Sequence, residues 1–177
     1  MIKQNDVGFY LIDLKNKESM HLYYGLKGRF EYKVDNRSDV IASIQKSIEE
    51  IVNGYDYIVY PESSSSFLSE VVKGFDKPTV LVKKRSIESV MSFFDTLPLQ
   101  KKERESHLER LKSMGPTFKI NLMKSTQRVK YEQVIFESVV LPEGKGLVID
   151  DSHFSGTTYR GLMATTGNLD FLAIFSK

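Results

Sequence analysis

Two short apolar runs are each followed by a loop of small polar residues and then by a helical pattern. This arrangement limits the choice of fold more than any other feature of the sequence. The first is YDYIVY at 55–60, followed by PESSSS and the helical pattern SFLSEVVKGF. The second is LVID at 147–150, followed by DSHFSGT and the helical pattern TYRGLMATTG. A strand, a loop and a helix in this order are typical of a parallel α/β sheet.

The rest of the chain extends this pattern. Isoleucines at three- and four-residue spacing predict a helix from Asp39 to about Asn53, with Ser38 as its N-cap and Gly54 at its end. KPTVLV at 77–82 and LDFLAIFS at 169–176 predict two further short strands. We therefore expect an α/β fold with a parallel sheet flanked by helices.

Two regions do not follow the pattern. In residues 1–37, VGFYLIDL, SMHLYYGL and GRFEYKV predict an antiparallel β meander. Residues 87–141 are too long for a simple crossover, so we expect an insertion that forms a hood, a lid or a subdomain within a single domain spanning 1–177. It holds two predicted helices (SIESVMSFFDTL and QKKERESHLERLKSM), a predicted strand (TFKINLM) and the stretch YEQVIFESVVL, which fits either a strand or a helix.

The composition excludes some kinds of site and location. The chain has no cysteine, so disulfides and cysteine-based metal or nucleophile sites are excluded. No apolar run is long enough to cross a membrane, and the N-terminus lacks the apolar segment of a signal peptide. We expect a soluble cytoplasmic protein with no membrane partner.

Charge is unevenly distributed along the chain. Between Lys83 and Lys130 there are twelve Lys/Arg and five Asp/Glu, a net charge of +7, which leaves +2 − 7 = −5 for the rest. Such a segment fits either an anionic partner or a solvated helix rich in lysine and glutamate. Because it shows no known nucleic-acid motif and no interleaved aromatics, a nucleic-acid partner is not expected, although the sequence does not exclude one.

The chemistry is concentrated where the second apolar run ends. Asp150 and Asp151 lie at a predicted strand end, where parallel sheets bind their ligands, and the loop Ser152–Thr158 leads into a helix. Backbone N–H groups at a helix start favour an anion, and Gly156 lets the backbone approach one closely. Carboxylates accept hydrogen bonds from vicinal hydroxyls or hold a divalent ion. Ribose 5-phosphate fits both halves, whereas the alternative is a corner in which one aspartate caps the helix.

At these residues the sequence resembles the type I phosphoribosyltransferases. LVID-D-SHF-SGTT matches their pattern of an apolar strand, two acids, three variable positions and Thr-Gly-x-Thr, with serine in place of the first threonine. The resemblance implies that Asp150 and Asp151 are catalytic residues that contact the ribose hydroxyls of phosphoribosyl pyrophosphate (PRPP), and that they hold Mg²⁺ indirectly through PRPP. It also implies that the 5-phosphate is bound by Ser155, Gly156, Thr157 and Thr158.

The resemblance also implies a pyrophosphate site. The family has an earlier strand followed by a pyrophosphate-binding loop, and often a basic residue after the next strand. Here these positions are occupied by Ser63, Ser64, Ser65, Ser66, Lys83, Lys84 and Arg85. The alternatives are a flexible serine loop and a solvated basic surface. Within the lid, phosphate could be reached by Lys101, Lys102, Arg104, Lys119 and Lys124.

The activity implied is that of a pentosyltransferase of nucleotide metabolism, which transfers the 5-phosphoribosyl group from PRPP to a nucleobase or related acceptor. Pyrophosphate leaves, with Mg²⁺ as cofactor, and relatives are often homodimers. Phe154 occupies the position of the acidic residue of 6-oxopurine enzymes, so no general base is evident there. His153 is a candidate proton shuttle. The alternative is a non-catalytic relative that senses PRPP or a nucleotide.

Overall fold

The computed structural model describes residues 2–4 and 8–177 and contains a six-stranded sheet in the order β1-β2-β6-β5-β3-β4. The strands are Lys3–Gln4 (β1), Phe9–Asp13 (β2), Tyr57–Pro61 (β3), Thr79–Val82 (β4), Gly146–His153 (β5) and Asp170–Ser176 (β6). β1 runs antiparallel to β2, whereas β2, β6, β5 and β3 pair in parallel. The expected α/β class is confirmed, and the mostly parallel sheet is compatible with a Rossmann-like fold.

Most of the predicted helices are present. The α-helices are Lys17–Leu26 (α1), Arg37–Asn53 (α2), Phe67–Lys73 (α3), Ile87–Thr96 (α4), Lys101–Lys112 (α5), Ser125–Arg128 (α6) and Thr157–Thr166 (α7). The helices predicted at α2, α3, α4, α5 and α7 are confirmed. α2 begins two residues earlier than predicted, because Asn36 and not Ser38 is the N-cap. No helix in residues 2–4 and 8–177 is both long and apolar enough to span a membrane.

The chain divides into two compact units. The first holds the residues up to Leu81 together with Leu141–Phe154 and Leu169–Lys177. The second holds Val82–Val140 and Ser155–Asn168. The sheet, apart from the last residue of β4, belongs to the first unit together with α1, α2 and α3. The second unit contains the other four helices.

The core of the first unit is built mainly from the sheet and the apolar faces of α2 and α3. Helical spacing buries one stripe of α2, formed by Ile41, Ile44, Ile48 and Val52. In β5, three consecutive residues, Leu147, Val148 and Ile149, are fully buried. Such burial on both faces is typical of a central parallel strand, and it explains the unbroken apolar run in the sequence.

Polar contacts hold together the amino ends of β3, β5 and β6, and we call this group the amino-end clamp. The Tyr55 hydroxyl donates to Asp170 Oδ2 at 2.7 Å. Lys145 Nζ lies 4.3 Å from the centroid of the Tyr55 ring and 3.4 Å from Asp170 Oδ2. The Lys145 N–H donates to Asp56 Oδ2 at 2.7 Å. These residues immediately precede or begin the three strands, so the clamp fixes their starting points.

The prediction of a three-segment β meander in residues 1–37 was wrong in two of its segments. VGFYLIDL contains β2, with Val7 lying outside the described residues, but SMHLYYGL lies in α1 and GRFEYKV forms no strand. The Asn16 side chain caps α1 by accepting from Ser19 N at 2.8 Å. Tyr23 and Leu26 recur at helical spacing and pack in the core of the first unit, so tertiary burial outweighs the strand preference of a tyrosine-rich segment.

A second strand prediction, TFKINLM in the second unit, was also wrong. Ile120–Leu122 is a 3₁₀ turn, and extended pairing is limited to an isolated bridge between Thr117 and Ser86. The ambiguous stretch YEQVIFESVVL begins within a 3₁₀ helix at Val129–Val134 and then forms one bridge between Phe136 and Lys84. Apolar alternation here reflects burial of single side chains such as Phe118 and Phe136.

A buried polar pair lies in the core of the second unit. The fully buried His107 on α5 makes a hydrogen bond of 2.8 Å through Nδ1 with the hydroxyl of Tyr131. Burial lowers the pKa of His107 and raises the pKa of Tyr131 to about 12. His107 Nε2 lies 3.7 Å from Glu103 Oε1, and Lys130 Nζ pairs with the same carboxylate oxygen at 2.8 Å.

Candidate functional site

The candidate site lies at the carboxyl ends of β3 and β5. After β3 the chain continues to β4 on one side of β3, whereas β5 and then β6 lie on its other side. The strand order therefore reverses between β3 and β5. In doubly wound sheets the crevice at this switch point is where ligands bind. The serine loop follows β3 there, and the acid pair lies in β5.

β5 is longer than the sequence predicted, and this changes the placement of the acid pair. The strand continues to His153, because Ser152 and His153 still pair with Phe175 and Ser176 of β6. Asp150 and Asp151 are therefore inside the strand, and they are 5% and 7% exposed. Side chains alternate along a strand, so the two carboxylates lie on opposite faces, with Asp151 on the face of Ile149.

Asp151 is the centre of a network within the first unit, and we call Lys27, Ser63 and Asp151 the switch-point cluster. Lys27, which follows α1, forms an ion pair with Asp151 Oδ2. Lys27 Nζ also donates to Ser63 Oγ at 2.9 Å, and Ser63 Oγ donates to Asp151 Oδ2 at 3.4 Å. Two residues predicted as site residues, Ser63 and Asp151, are thus brought together, with a cation that the sequence did not reveal.

The second oxygen of Asp151 is bound by a hydroxyl relay. Ser152 Oγ donates to Asp151 Oδ1 at 2.8 Å, and the Tyr23 hydroxyl lies 3.2 Å from Ser152 Oγ. Because the single hydroxyl proton of Ser152 goes to Asp151, Tyr23 is the donor to Ser152. Burial, and then the negative charge of Asp151, raise the pKa of Tyr23. The phenol therefore stays protonated and able to donate.

The serine loop lines a pocket next to the switch-point cluster. The pocket has a volume of about 280 Å³, and it is lined by Tyr60, Pro61, Glu62, Ser63, Ser64, Ser65, Ser66, Leu68, Ser69 and Leu81. Its size is at the lower end of ligand pockets, which range from about 300 to 1,000 Å³. Within residues 2–4 and 8–177, Ser65 Oγ is buried without a hydrogen-bond partner. Such a group is costly unless a water or ligand satisfies it.

The loop predicted to bind the 5-phosphate belongs to the second unit. Gly156 is the N-cap of α7 with φ of 70°, a left-handed conformation that favours glycine. Ser155 Oγ and Thr157 Oγ1 are 3.1 Å apart, and Thr157 is buried. Thr158 lies in the first turn of the helix, where no acidic side chain occurs. The local chemistry suits an anion, as the sequence indicated.

The basic residues predicted to bind pyrophosphate also lie in the second unit. Arg85 is committed to the protein, because its Nε donates to the Phe136 carbonyl at 2.8 Å and its NH1 to Ser89 Oγ at 3.3 Å. Lys84 forms the bridge with Phe136, and Lys83 is exposed. Arg85 therefore has a structural role that its position in the sequence did not show.

The lid candidates are also part of the second unit. Arg104 pairs with Asp95 at 2.9 Å, and its guanidinium lies 4.6 Å from the centroid of the Phe94 ring. Lys101, Lys102, Lys119 and Lys124 are exposed. Exposed lysines of this kind are ordinary solvated surface unless a ligand meets them.

Two further residues near the motif are in the first unit. Phe154 is 41% exposed, and its ring meets the Tyr23 ring edge-on at 5.4 Å. His153 meets the Phe171 ring edge-on at 6.1 Å, and its carbonyl accepts from Lys177 N at 3.2 Å. The Phe154 ring thus packs against Tyr23, and its exposed surface is available to contact a ligand.

A magnesium ion held directly by both carboxylates does not fit this arrangement. Asp150 and Asp151 lie on opposite faces of β5, and Asp151 is already paired with the Lys27 ammonium. A direct Mg²⁺ site needs oxygen ligands that converge on one point. Magnesium is consistent with this site as an ion carried by a diphosphate ligand, which is the indirect binding that the resemblance implies.

Lys27, Tyr23 and Ser152 were not recognised from the sequence. The usable signals were those that define α1, namely Asn16 before its first turn and Gly28, with φ of 76°, after its end. A helix ending at Leu26 would have placed Lys27 directly after the helix that follows β2. Nothing local in the sequence indicates its contact with Asp151.

No protein-family model matches this chain, and no curated protein matches it either.

Proposed function

We propose that this protein binds PRPP and transfers its 5-phosphoribosyl group to a nucleobase or related acceptor. The observation that carries the proposal is the meeting of Ser63 and Asp151 at the β3–β5 switch point, 3.4 Å apart between Oγ and Oδ2. A hydroxyl-rich loop and a carboxylate side by side suit a ligand with a charged leaving group and vicinal hydroxyls. In the sequence the motif continues to Thr158, where the resemblance implies a phosphate-binding loop.

In the proposed reaction, a nitrogen of the acceptor forms a bond to the anomeric carbon. The bond from that carbon to the diphosphate oxygen breaks, and its electron pair leaves with pyrophosphate. The acceptor nitrogen loses its proton to water or to a base in the site. Asp151 orients the ribose by accepting from a hydroxyl, and its negative charge favours the positive charge that develops on the sugar. Mg²⁺ supplies charge neutralisation on the diphosphate.

The decisive test measures PRPP binding by titration calorimetry with Mg²⁺, followed by pyrophosphate release across a panel of nucleobases. The variant Asp150→Asn with Asp151→Asn should weaken PRPP binding by about tenfold or more, as expected for lost charged hydrogen bonds. The control is Asp35→Asn with Asp39→Asn, which changes the net charge equally at exposed positions. Equal PRPP affinity in the acid-pair variant and the control would refute the site.

A non-catalytic PRPP or nucleotide sensor is the second candidate. It is favoured by Phe154, which offers no titratable group where 6-oxopurine enzymes carry an acid. It is also favoured by the Lys27–Asp151 ion pair, which engages the carboxylate that the transfer reaction would need for the ribose. PRPP binding without pyrophosphate release on any acceptor would select this candidate. A cytoplasmic location belongs to both proposals.

A further inference from the structure

The backbone of Lys27 is held in place at the end of α1 in the first unit. It is the C-cap of α1, and its N–H bonds the carbonyls of Gly25 and Tyr23. The preceding Leu26 is buried in the core. A side chain on this backbone cannot move far from the end of β5, although the lysine stem itself is flexible. The structure therefore keeps an ammonium group permanently within reach of the switch point.

The contacts of Lys27 leave it able to bind a further oxygen. An ammonium group has three donors, and in the described part of the chain two of them go to Ser63 Oγ and Asp151 Oδ2. Its side chain is 18% exposed, so it is not sealed in the core. Lys27 thus touches both the loop expected to meet the diphosphate and the carboxylate expected to meet the ribose.

Charge favours a second role for this lysine if PRPP binds here. Asp151 puts a carboxylate at the switch point, and a diphosphate adds further negative charge. Repulsion between buried like charges is costly unless a cation lies between them. Lys27 supplies a cation within the switch-point cluster, and its hydrogen bond to Ser63 places it beside the loop expected to meet the diphosphate.

We propose that Lys27 is a diphosphate-binding residue that exchanges partners when the ligand arrives. Without ligand, its ammonium neutralises Asp151. With ligand, a ribose hydroxyl donates to Asp151, and the ammonium, still beside Ser63, donates to a diphosphate oxygen. This inference rests on the proposed function and assigns to it a residue outside the sequence motif. It predicts that Lys27 discriminates between ligands with and without a diphosphate.

The competing role is a tether that only fastens α1 to β5. A tether would affect folding, or all ligands alike, whereas a diphosphate-binding residue affects only ligands that carry a diphosphate. The variants are Lys27→Met, Lys27→Gln, which keeps a hydrogen-bonding group without charge, and Lys27→Arg, which keeps the charge. Lys46→Met is the control, since Lys46 is exposed on α2 in the same unit.

The experiment titrates each variant with PRPP, inorganic pyrophosphate and ribose 5-phosphate in Mg²⁺ buffer, after circular dichroism has shown that the variant is folded. Lys27→Met and Lys27→Gln should lose about tenfold or more in affinity for PRPP and pyrophosphate, but no more than about threefold for ribose 5-phosphate. Lys27→Arg should stay within about threefold of the wild type for all three ligands. Lys46→Met should match the wild type.

The outcomes separate this inference from the proposed function. If the wild type binds none of the three ligands, the proposed function is wrong and the inference falls with it. If the wild type binds PRPP and pyrophosphate, and Lys27→Gln binds them equally well, the inference alone is overturned. An equal loss for all three ligands would also overturn it, because that result assigns Lys27 the tether role.

Discussion

The Lys27–Asp151 ion pair should be one of the largest single electrostatic contributions to the stability of the first unit. The two side chains are 18% and 10% exposed. Breaking a buried pair by removing one partner costs about 3–5 kcal/mol. Because neither side chain is fully buried, we expect Lys27→Met to cost about 2–3 kcal/mol, since it leaves the Asp151 carboxylate to the Ser63 and Ser152 hydroxyls without a compensating charge.

The other single variant should be milder. Asp151→Asn keeps an oxygen acceptor, and the freed Lys27 ammonium can turn toward water, so we expect a cost of about 1–2 kcal/mol. In the double variant no charge is left uncompensated. Its cost should therefore be about 2 kcal/mol, well below the sum of the two single costs, which gives a coupling energy of about 2 kcal/mol.

Urea unfolding of the wild type and the three variants, followed by circular dichroism, measures this coupling. The control cycle uses Arg104→Met and Asp95→Asn, whose side chains are 38% and 68% exposed, and its coupling should stay below about 1 kcal/mol. Costs at Lys27 and Asp151 that add to within about 0.5 kcal/mol would refute the reasoning. So would equal couplings in the two cycles.

Three further predictions concern other parts of the chain. Burial favours the neutral form of His107, so the folded state binds fewer protons than the unfolded state, and the free energy of unfolding should fall by up to about 1.4 kcal/mol per pH unit below about pH 6.5. Urea unfolding midpoints at pH 5.5 and 7.5 should show this fall in the wild type and not in His107→Gln, and parallel pH profiles of the two proteins would contradict it. Gly156 has φ of 70°, which valine adopts only with strain, so Gly156→Val should lower the free energy of unfolding by about 1–2 kcal/mol and Gly156→Asn by less. Equal melting temperatures for the two variants would argue against strain at this position. Ile48→Ala should cost about 2–5 kcal/mol in denaturant titrations, against less than about 0.5 for the exposed Glu49→Ala, and a small loss at Ile48 would contradict its burial.

Elements whose pattern reflects local burial were predictable. β3, β5 and β6 are apolar runs because a central parallel strand is buried on both faces, and α2 shows its buried isoleucine stripe directly. α1 was missed because its tyrosines favour a strand in isolation, whereas packing against the core determines the helix. β5 extends beyond its apolar part because Ser152 and His153 find partners in β6, which the local sequence does not encode.

Only part of the candidate site was predictable from the sequence. Ser63 and Asp151 could be placed near each other, because loops and strand ends at the carboxyl edge of a parallel sheet converge at the switch point. The side-chain alternation that separates Asp150 from Asp151 required knowing that β5 continues past both residues. Lys27 could not be predicted, since its partner lies 124 residues away and an ion pair between distant segments leaves no periodic signal.

The amino-end clamp has a consequence for how this sheet can change over evolution. Tyr55, Lys145 and Asp170 hold the strand starts together at the edge opposite the switch point. These contacts join the strand starts through residues outside the proposed ligand site. Substitutions among the side chains of the proposed site at the carboxyl ends would therefore leave these contacts between the strand starts in place. The two ends of the sheet thus have separate roles: the amino ends carry contacts that join the strand starts, and the carboxyl ends present the side chains of the proposed site.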